Sequence, residues 1–202
     1  MSEYKQFNLS SVIKQLGEER TKQILSSFTC PLNEDVQEFC REKAIEFSKR
    51  GFAQTYLVYW QEGNEKEFIG YYTIAMKHFT VSKKDLSNKL FSRVKQHGTY
   101  DSSMGAYIIS APLIAQLGKN FDKGNDTLIS GSEILQMAID RIRNIQREIG
   151  GKFLYLECEE KDELLQFYER NNFISFGKRK LDKDETNLEG TCLIQLLQYW
   201  EN

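Results

Sequence analysis

Apolar positions recur along this chain with two different periods, and those periods divide it into elements. Over residues 33–48, Val36, Phe39, Cys40, Ala44 and Phe47 fall at helical spacing behind Asn33, whose side chain suits the first orphan N–H groups. Gly51 supplies the stop. Residues 54–60 are instead β-branched and aromatic, and residues 68–76 answer them across the polar turn EGNEKE, which predicts a hairpin. Residues 82–96 predict a helix capped by Ser82, followed by a loop of small and polar residues. Residues 107–121 read as extended, with Pro112 confined to an edge, bulge or bend because it has no N–H for a ladder.

The second half carries the clearest signals. Ile134, Leu135, Ala138, Ile142, Ile145 and Ile149 form the apolar stripe of a helix over 132–149, which Gly150 and Gly151 end. A strand follows, with Leu154, Leu156 and Cys158 alternating against Tyr155, Glu157 and Glu159. KDELLQFYERNN reads as a short helix, and two strands near 173–181 and 191–200 close the chain. Helices thus lead, covering about residues 1–50, then comes a hairpin, then helix, β, α, β, α, β, β. A doubly wound nucleotide fold alternates strand and helix throughout. Antiparallel pairs flanking central βαβ units predict an α/β (α+β) class with a mixed, mostly antiparallel sheet flanked by helices.

Composition narrows the class. With 202 residues, 40% apolar and 12% aromatic, the chain can bury a core as one domain spanning 1–202. The 27 basic and 29 acidic residues nearly cancel, which denies it a globally attractive field for nucleic acid but leaves room for a local basic patch. No apolar run reaches the roughly 20 residues that span a bilayer, and the opening MSEYKQFNLSS lacks a signal-peptide core, so no membrane partner is expected. Cys30, Cys40, Cys158 and Cys192 form no C-x-x-C pair and are joined only by His78 and His97. Reduced thiols in a cytoplasmic protein, with no metal, is the expected reading. Arg141, Arg143 and Arg147 read as the solvated side of the long helix, and Lys178, Arg179 and Lys180 as surface. Tyr71 and Tyr72 place one aromatic on each sheet face, one of them a candidate for lining an acceptor cleft.

Candidate chemistry sits at two places. Ser130, Gly131, Ser132 and Glu133 make a Ser-x-x-Glu capping box just ahead of the long apolar stripe. A helix start offers N–H groups and a positive dipole to a phosphate, and Gly131 permits close backbone approach, the competing reading being a plain helix start with no ligand. In FYERNNF, Phe167 packs inward while the Tyr168 hydroxyl is free to donate a proton to a leaving thiolate, unless Tyr168 is merely a packing aromatic.

The order strand, cradling turn, long helix, strand, short helix bearing Phe-Tyr, then Phe and a closing hairpin resembles the GNAT family of N-acetyltransferases, most clearly over 108–176. FTCPLNEDVQEFCREKA is similar to the opening of toxin-type members, and FIGYYTI and PLIAQLGKNF to their central strands. The resemblance implies that main-chain groups of Leu117, Gly118 and Lys119 pair with a pantetheine arm. It implies that Asp126, Thr127, Leu128, Ile129, Ser130 and Gly131, with Ser132, hold the pyrophosphate of acetyl-CoA. The family's loop reads Gln/Arg-x-x-Gly-x-Gly/Ala, and only Gly131 fits it. Asp126 stands where a basic or amide residue is usual, Asn172 where glycine is usual, and Lys161 where an asparagine often precedes the helix. Backbone N–H groups bind phosphate whatever the side chain, so Ile129 is tolerable, and Asn172 can take up a left-handed conformation.

The implied reaction is acetyl transfer from acetyl-CoA to a primary amine. A main-chain N–H near 117–119 polarises the thioester, Tyr168 is the acid, and Glu157 is the base through a water. The competing reading of Glu157 is a solvated acidic face shared with Glu159 and Glu160. The acceptor is a small metabolite, a peptide amine or, as the toxin likeness implies, aminoacyl-tRNA, and a homodimer is compatible with the family. The alternative class is an acyl-CoA-binding or interaction module of the same fold that has lost turnover.

Overall fold

Where a helical N-terminus is expected, the chain opens on a strand. The computed structural model describes residues 3–182, 188 and 190–201. Its elements begin with β1 (Glu3–Asn8), α1 (Leu9–Leu16), α2 (Glu18–Ser26), α3 (Glu34–Glu38), a π turn at Phe39–Lys43 and α4 (Ala44–Lys49). The hairpin β2 (Gln54–Glu62) and β3 (Glu65–Val81) follows, then α5 (Asn88–His97), β4 (Thr99–Asp101) and β5 (Ala106–Lys119). A 3-10 stretch at Asp122–Thr127 leads into α6 (Gly131–Ile149), β6 (Phe153–Glu159), α7 (Asp162–Arg170), β7 (Ile174–Lys180) and β8 (Cys192–Tyr199). The eight strands share one sheet in which the β1–β2, β2–β3, β4–β5, β6–β8 and β7–β8 pairs are all antiparallel. The expected mixed α/β class, mostly antiparallel and flanked by helices, is the one observed.

Two compact units divide the chain, residues 1–75 with 114–141 and residues 76–113 with 142–202. In the first, the strand order is β1-β2-β3-β5. β1 has no apolar period to announce it; its place comes from pairing with β2, Tyr4 opposite Trp60 and Gln6 opposite Val58. Leu9, Leu25, Phe28, Phe39, Cys40, Ala44, Leu57 and Tyr71 make a continuous core; of the helical positions behind Asn33, Phe39, Cys40 and Ala44 join it as predicted, whereas Phe47 is 37% exposed. Asn33 does cap that helix, accepting from the Val36 N–H at 3.0 Å. In the hairpin, Val58 faces Gly70 but Tyr59 faces Phe68, so Ile69 is an extra, bulged residue. Gly70 is required beside the bulge, because a Cβ there would lie 2.7 Å from the Gly118 carbonyl oxygen.

Both tyrosines after Gly70 are fully buried, so neither lines an open cleft. The Tyr71 hydroxyl donates to the Val36 carbonyl at 2.6 Å and the Tyr72 hydroxyl to Gln6 Oε1 at 2.5 Å. Arg141 is not a solvated helix residue: its Nε donates to the Tyr72 hydroxyl at 2.8 Å and its guanidinium lies 4.1 Å over the Tyr56 ring. Burial pushes the phenols of Tyr59 and Tyr72 up to about 12, Arg141 pulling Tyr72 partly back. Unfolded tyrosines ionise near about pH 10. The folded phenols keep their protons longer, so this stability is complete below about pH 10 and is lost as pH rises towards 12. Urea unfolding is expected to weaken above pH 10 by roughly 1.4 kcal/mol per pH unit per tyrosine. Tyr59→Phe is expected to remove one tyrosine's share of that slope; an unaltered slope would contradict the assignment.

In the second unit the order is β3-β5-β6-β8-β7, with β4 on β5. Phe79 anchors its aromatic core, 4.9 Å from the Tyr155 ring and 4.7 Å from that of Phe176. Three expectations change here. Ser82 does not cap α5; Ser87 does, its Oγ accepting from the Leu90 N–H at 3.3 Å. The loop after α5 is a hairpin closed by Asp101, whose Oδ1 accepts from the Ser103 and Met104 N–H groups. β6 is covered on both faces, so Tyr155 and Glu159 are as buried as Leu154, and the alternation does not mark a wet side. On α6 the stripe loses Ile145 and Ile149 to solvent and gains Ile139.

Candidate active site

The coenzyme-binding residues expected from the sequence fall in the first unit as one continuous run, from the end of β5 to the start of α6. Leu117, Gly118 and Lys119 are the last three residues of β5. Gly118 has no space for a side chain: a Cβ would meet Val36 Cγ1 at 2.5 Å and Phe28 Cζ at 3.3 Å. Next comes Asn120, only 1% exposed and not singled out by any sequence pattern. Its Oδ1 accepts from the Thr29 and Asp122 N–H groups at 2.9 and 3.1 Å, its Nδ2 donates to the Phe68 carbonyl at 2.8 Å, and its own N–H donates to the bulged Ile69 carbonyl at 2.8 Å. One side chain thus ties the helical segment, the bulge and the loop together.

Beyond Asn120 the loop turns through Lys123 (φ 54°) and Gly124 (φ 78°). Asp126 lacks the basic character usual at its position, yet Lys119 brings a cation there, its Nζ donating to the Asp126 carbonyl at 3.0 Å. The Thr127 hydroxyl donates to the Gly124 carbonyl at 2.8 Å, and Ile129 is buried beneath the loop. The Tyr4 hydroxyl of β1 donates to the Leu128 carbonyl at 2.8 Å. Ser130 and Ser132 are exposed at the mouth of α6. The capping box forms in both directions. The Glu133 N–H donates to Ser130 Oγ at 3.2 Å, while Glu133 Oε2 accepts from the Ser130 N–H at 2.8 Å and its hydroxyl at 2.7 Å. The two Ser130 hydrogen bonds hold the Glu133 carboxyl below its usual range.

Tyr168 and Glu157 belong to the second unit. Asn172 adopts φ 65°, the left-handed turn in which glycine is usual. The Asn172 N–H donates to the Glu169 carbonyl at 2.9 Å and the Phe173 N–H to the Tyr168 carbonyl at 3.0 Å, the paired bonds of a Schellman ending. That ending sets the Tyr168 ring between Phe167 (5.0 Å) and Phe173 (5.8 Å). Burial, and secondarily Cys158, raise its phenol well above the ordinary tyrosine value, so it carries its proton throughout the physiological range.

Glu157 follows the other face. It adjoins Cys158 along β6, and successive strand residues point to opposite faces, so Tyr168 near Cys158 and Glu157 are on opposite sides of that strand. Glu157 is not part of a solvated acidic face: its side chain is 12% exposed, with Arg179 Nε donating to Oε2 at 2.6 Å and Gln195 Nε2 to Oε1 at 2.8 Å. Glu159 is buried as well, and Glu160 pairs with Lys178. Of the basic run, Arg179 thus serves as the partner of Glu157, whereas Lys178 and Lys180 are exposed, as the surface reading expects. Glu157 opens into a cavity of about 600 Å³ whose lining includes Lys77, His78, Arg179 and Gln195. All four cysteines are free thiols, three of them buried. No helix among the described residues is long and apolar enough to cross a membrane.

No protein-family model and no curated protein matches the chain. Solved structures do. AtaT complexed with acetyl-methionyl-tRNAfMet is similar with a TM-score of 0.62 at 16% identity, covering 95% of this chain and 94% of that one. A tyrosine-to-phenylalanine mutant of KacT gives 0.61 at 12% identity, over 95% and 93%. AtaTR bound with AcCoA gives 0.55 at 13% identity, over 97% and 92%. At such identities the likeness is one of fold: the chain has the fold of the GNAT-type toxin acetyltransferases, and over far more of its length than the stretch 108–176 in which the sequence resemblance is clearest.

Proposed function

We propose that this protein is an acetyl-CoA-dependent N-acetyltransferase acting on a primary amine. The observation that carries the reading is the fold likeness, over nearly the full chain, to structures that hold acetyl-CoA or an acetylated aminoacyl-tRNA. In this reading the exposed start of α6 and the loop from Asp126 to Ser132 take the coenzyme's pyrophosphate, with Lys119 replacing the cation that the loop sequence lacks. Main-chain groups of Leu117 to Lys119 bind the pantetheine arm and polarise the thioester carbonyl. The attacking amine gives up a proton through water to Glu157, whose orientation Arg179 and Gln195 hold. As the tetrahedral intermediate collapses, Tyr168 protonates the departing thiolate.

Among amine acceptors, we favour aminoacyl-tRNA. The likeness to the AtaT complex supports it, as do Lys77, His78 and Lys84 beside the Glu157 cavity, which suit a phosphate backbone. The free thiols fit the cytoplasm, where such an acceptor is found.

Calorimetric titration with acetyl-CoA tests the reading. Wild-type protein is expected to bind with a Kd on the order of micromolar, and Gly131→Glu, which sets a carboxylate at the mouth of α6, to weaken binding at least about tenfold. A wild-type protein that takes up no acetyl-CoA overturns the proposal.

A further inference from the structure

We infer that the Glu133 carboxylate is a built-in competitor for the coenzyme's pyrophosphate, latched in place by Tyr4. The inference rests on the acetyl-CoA reading and concerns how strongly the loop is available to it. A capping box satisfies a helix start with the protein's own anion. Here that anion takes the Ser130 N–H at 2.8 Å and the Ser130 hydroxyl at 2.7 Å, two of the donors that the loop offers to a phosphate. A second contact comes from far along the chain. Tyr4 on β1, 129 residues before Glu133, bonds the Leu128 carbonyl at 2.8 Å and lies 3.4 Å from Glu133 Oε1. Bound pyrophosphate therefore either forgoes the Ser130 donors and sits against a full negative charge, or displaces Glu133 and strips Tyr4 of one partner. Either route lowers affinity. Lys119, bonded to the Asp126 carbonyl of the same loop, partly offsets the charge.

Glu133→Gln separates charge from shape. Glutamine serves the same position of a capping box, so α6 keeps its start while the carboxylate is removed. Calorimetry with acetyl-CoA is expected to show about fivefold tighter binding by Glu133→Gln than by wild type in dilute buffer. The gain should shrink at ~1 M salt, where charges are screened within a few ångströms. Acetyl-pantetheine, which has no pyrophosphate, should bind both proteins alike. Tyr4→Phe, which keeps the charge and releases the latch, is expected to tighten acetyl-CoA about twofold.

Glu133→Gln binding acetyl-CoA no more tightly than a wild type that binds it overturns the competitor and leaves the acetyltransferase reading standing. An equal gain for acetyl-pantetheine overturns it too, since the effect would then not involve the pyrophosphate. If neither protein binds acetyl-CoA, the acetyltransferase reading falls and the competitor with it.

Discussion

Tyr168→Phe is expected to slow acetyl transfer about a hundredfold while leaving the affinity for acetyl-CoA within twofold of wild type. The substitution removes one oxygen and keeps the ring packed against Phe167 and Phe173, so the Schellman ending of α7 survives. What is lost is a proton donor, and a positioned acid contributes typically ~10²- to 10⁴-fold. The lower end applies, because a thiolate leaves more readily than an alkoxide and needs less help. Because burial raises the Tyr168 phenol, the wild-type rate should show no loss from this group as pH climbs through the ordinary tyrosine range near 10. Following release of coenzyme thiol with an amine acceptor in a single turnover, alongside calorimetry, separates chemistry from binding. A variant with wild-type turnover would leave Tyr168 as a packing aromatic only.

Asn120→Ala is expected to cost roughly 3–5 kcal/mol of stability, a large loss for a side chain with no charge. Alanine strands the Thr29 and Asp122 N–H groups and leaves the Phe68 carbonyl with only the longer, 3.5 Å bond from Asn125 Nδ2, all three being partnered now by a residue 1% exposed to solvent. Each buried group left without a partner costs about 1–3 kcal/mol, the sum being softened where water enters. The damage should reach function as well. Asp122 begins the loop that leads to Ser130, so acetyl-CoA affinity should fall together with the urea midpoint. A loss below about 1 kcal/mol in urea unfolding would show that Asn120 is not the tie that its hydrogen bonds describe.

These two residues stand at opposite ends of what a sequence can reveal. Tyr168 lies in FYERNNF, where the helix, the aromatic pair and the left-handed Asn172 all follow from interactions within six residues. The capping box is equally local, Ser130 meeting Glu133 three positions on, and the stripe from Ile134 to Ile142 needs only helical geometry to be recognised. Asn120 carries no such mark. Its partners lie 91 and 52 residues away, at Thr29 and Phe68, and nothing near it in the chain distinguishes it from a turn asparagine. Lys119 was hidden as a replacement for the cation missing at Asp126 for a different reason: only seven residues separate them, but the loop had to fold back before its Nζ could reach that carbonyl.

Periodicity and capping, which act over three to six residues, were enough to establish from the chain alone that this is an α/β protein with a capping box at the start of its long helix and an aromatic pair at the end of a short one. The mixed sheet, too, followed from the order of elements. Only tertiary structure decided that residues 3–8 form an edge strand and that β8 pairs with both β6 and β7. It also decided that Arg141 and Arg179 are structural partners rather than surface charges, and that Glu157 faces away from Tyr168. The physical reason is common to all of these. Strand pairing and buried ion pairs gain their free energy from residues tens of positions apart, so the same short segment reads as helix, loop or solvated face until its partner arrives.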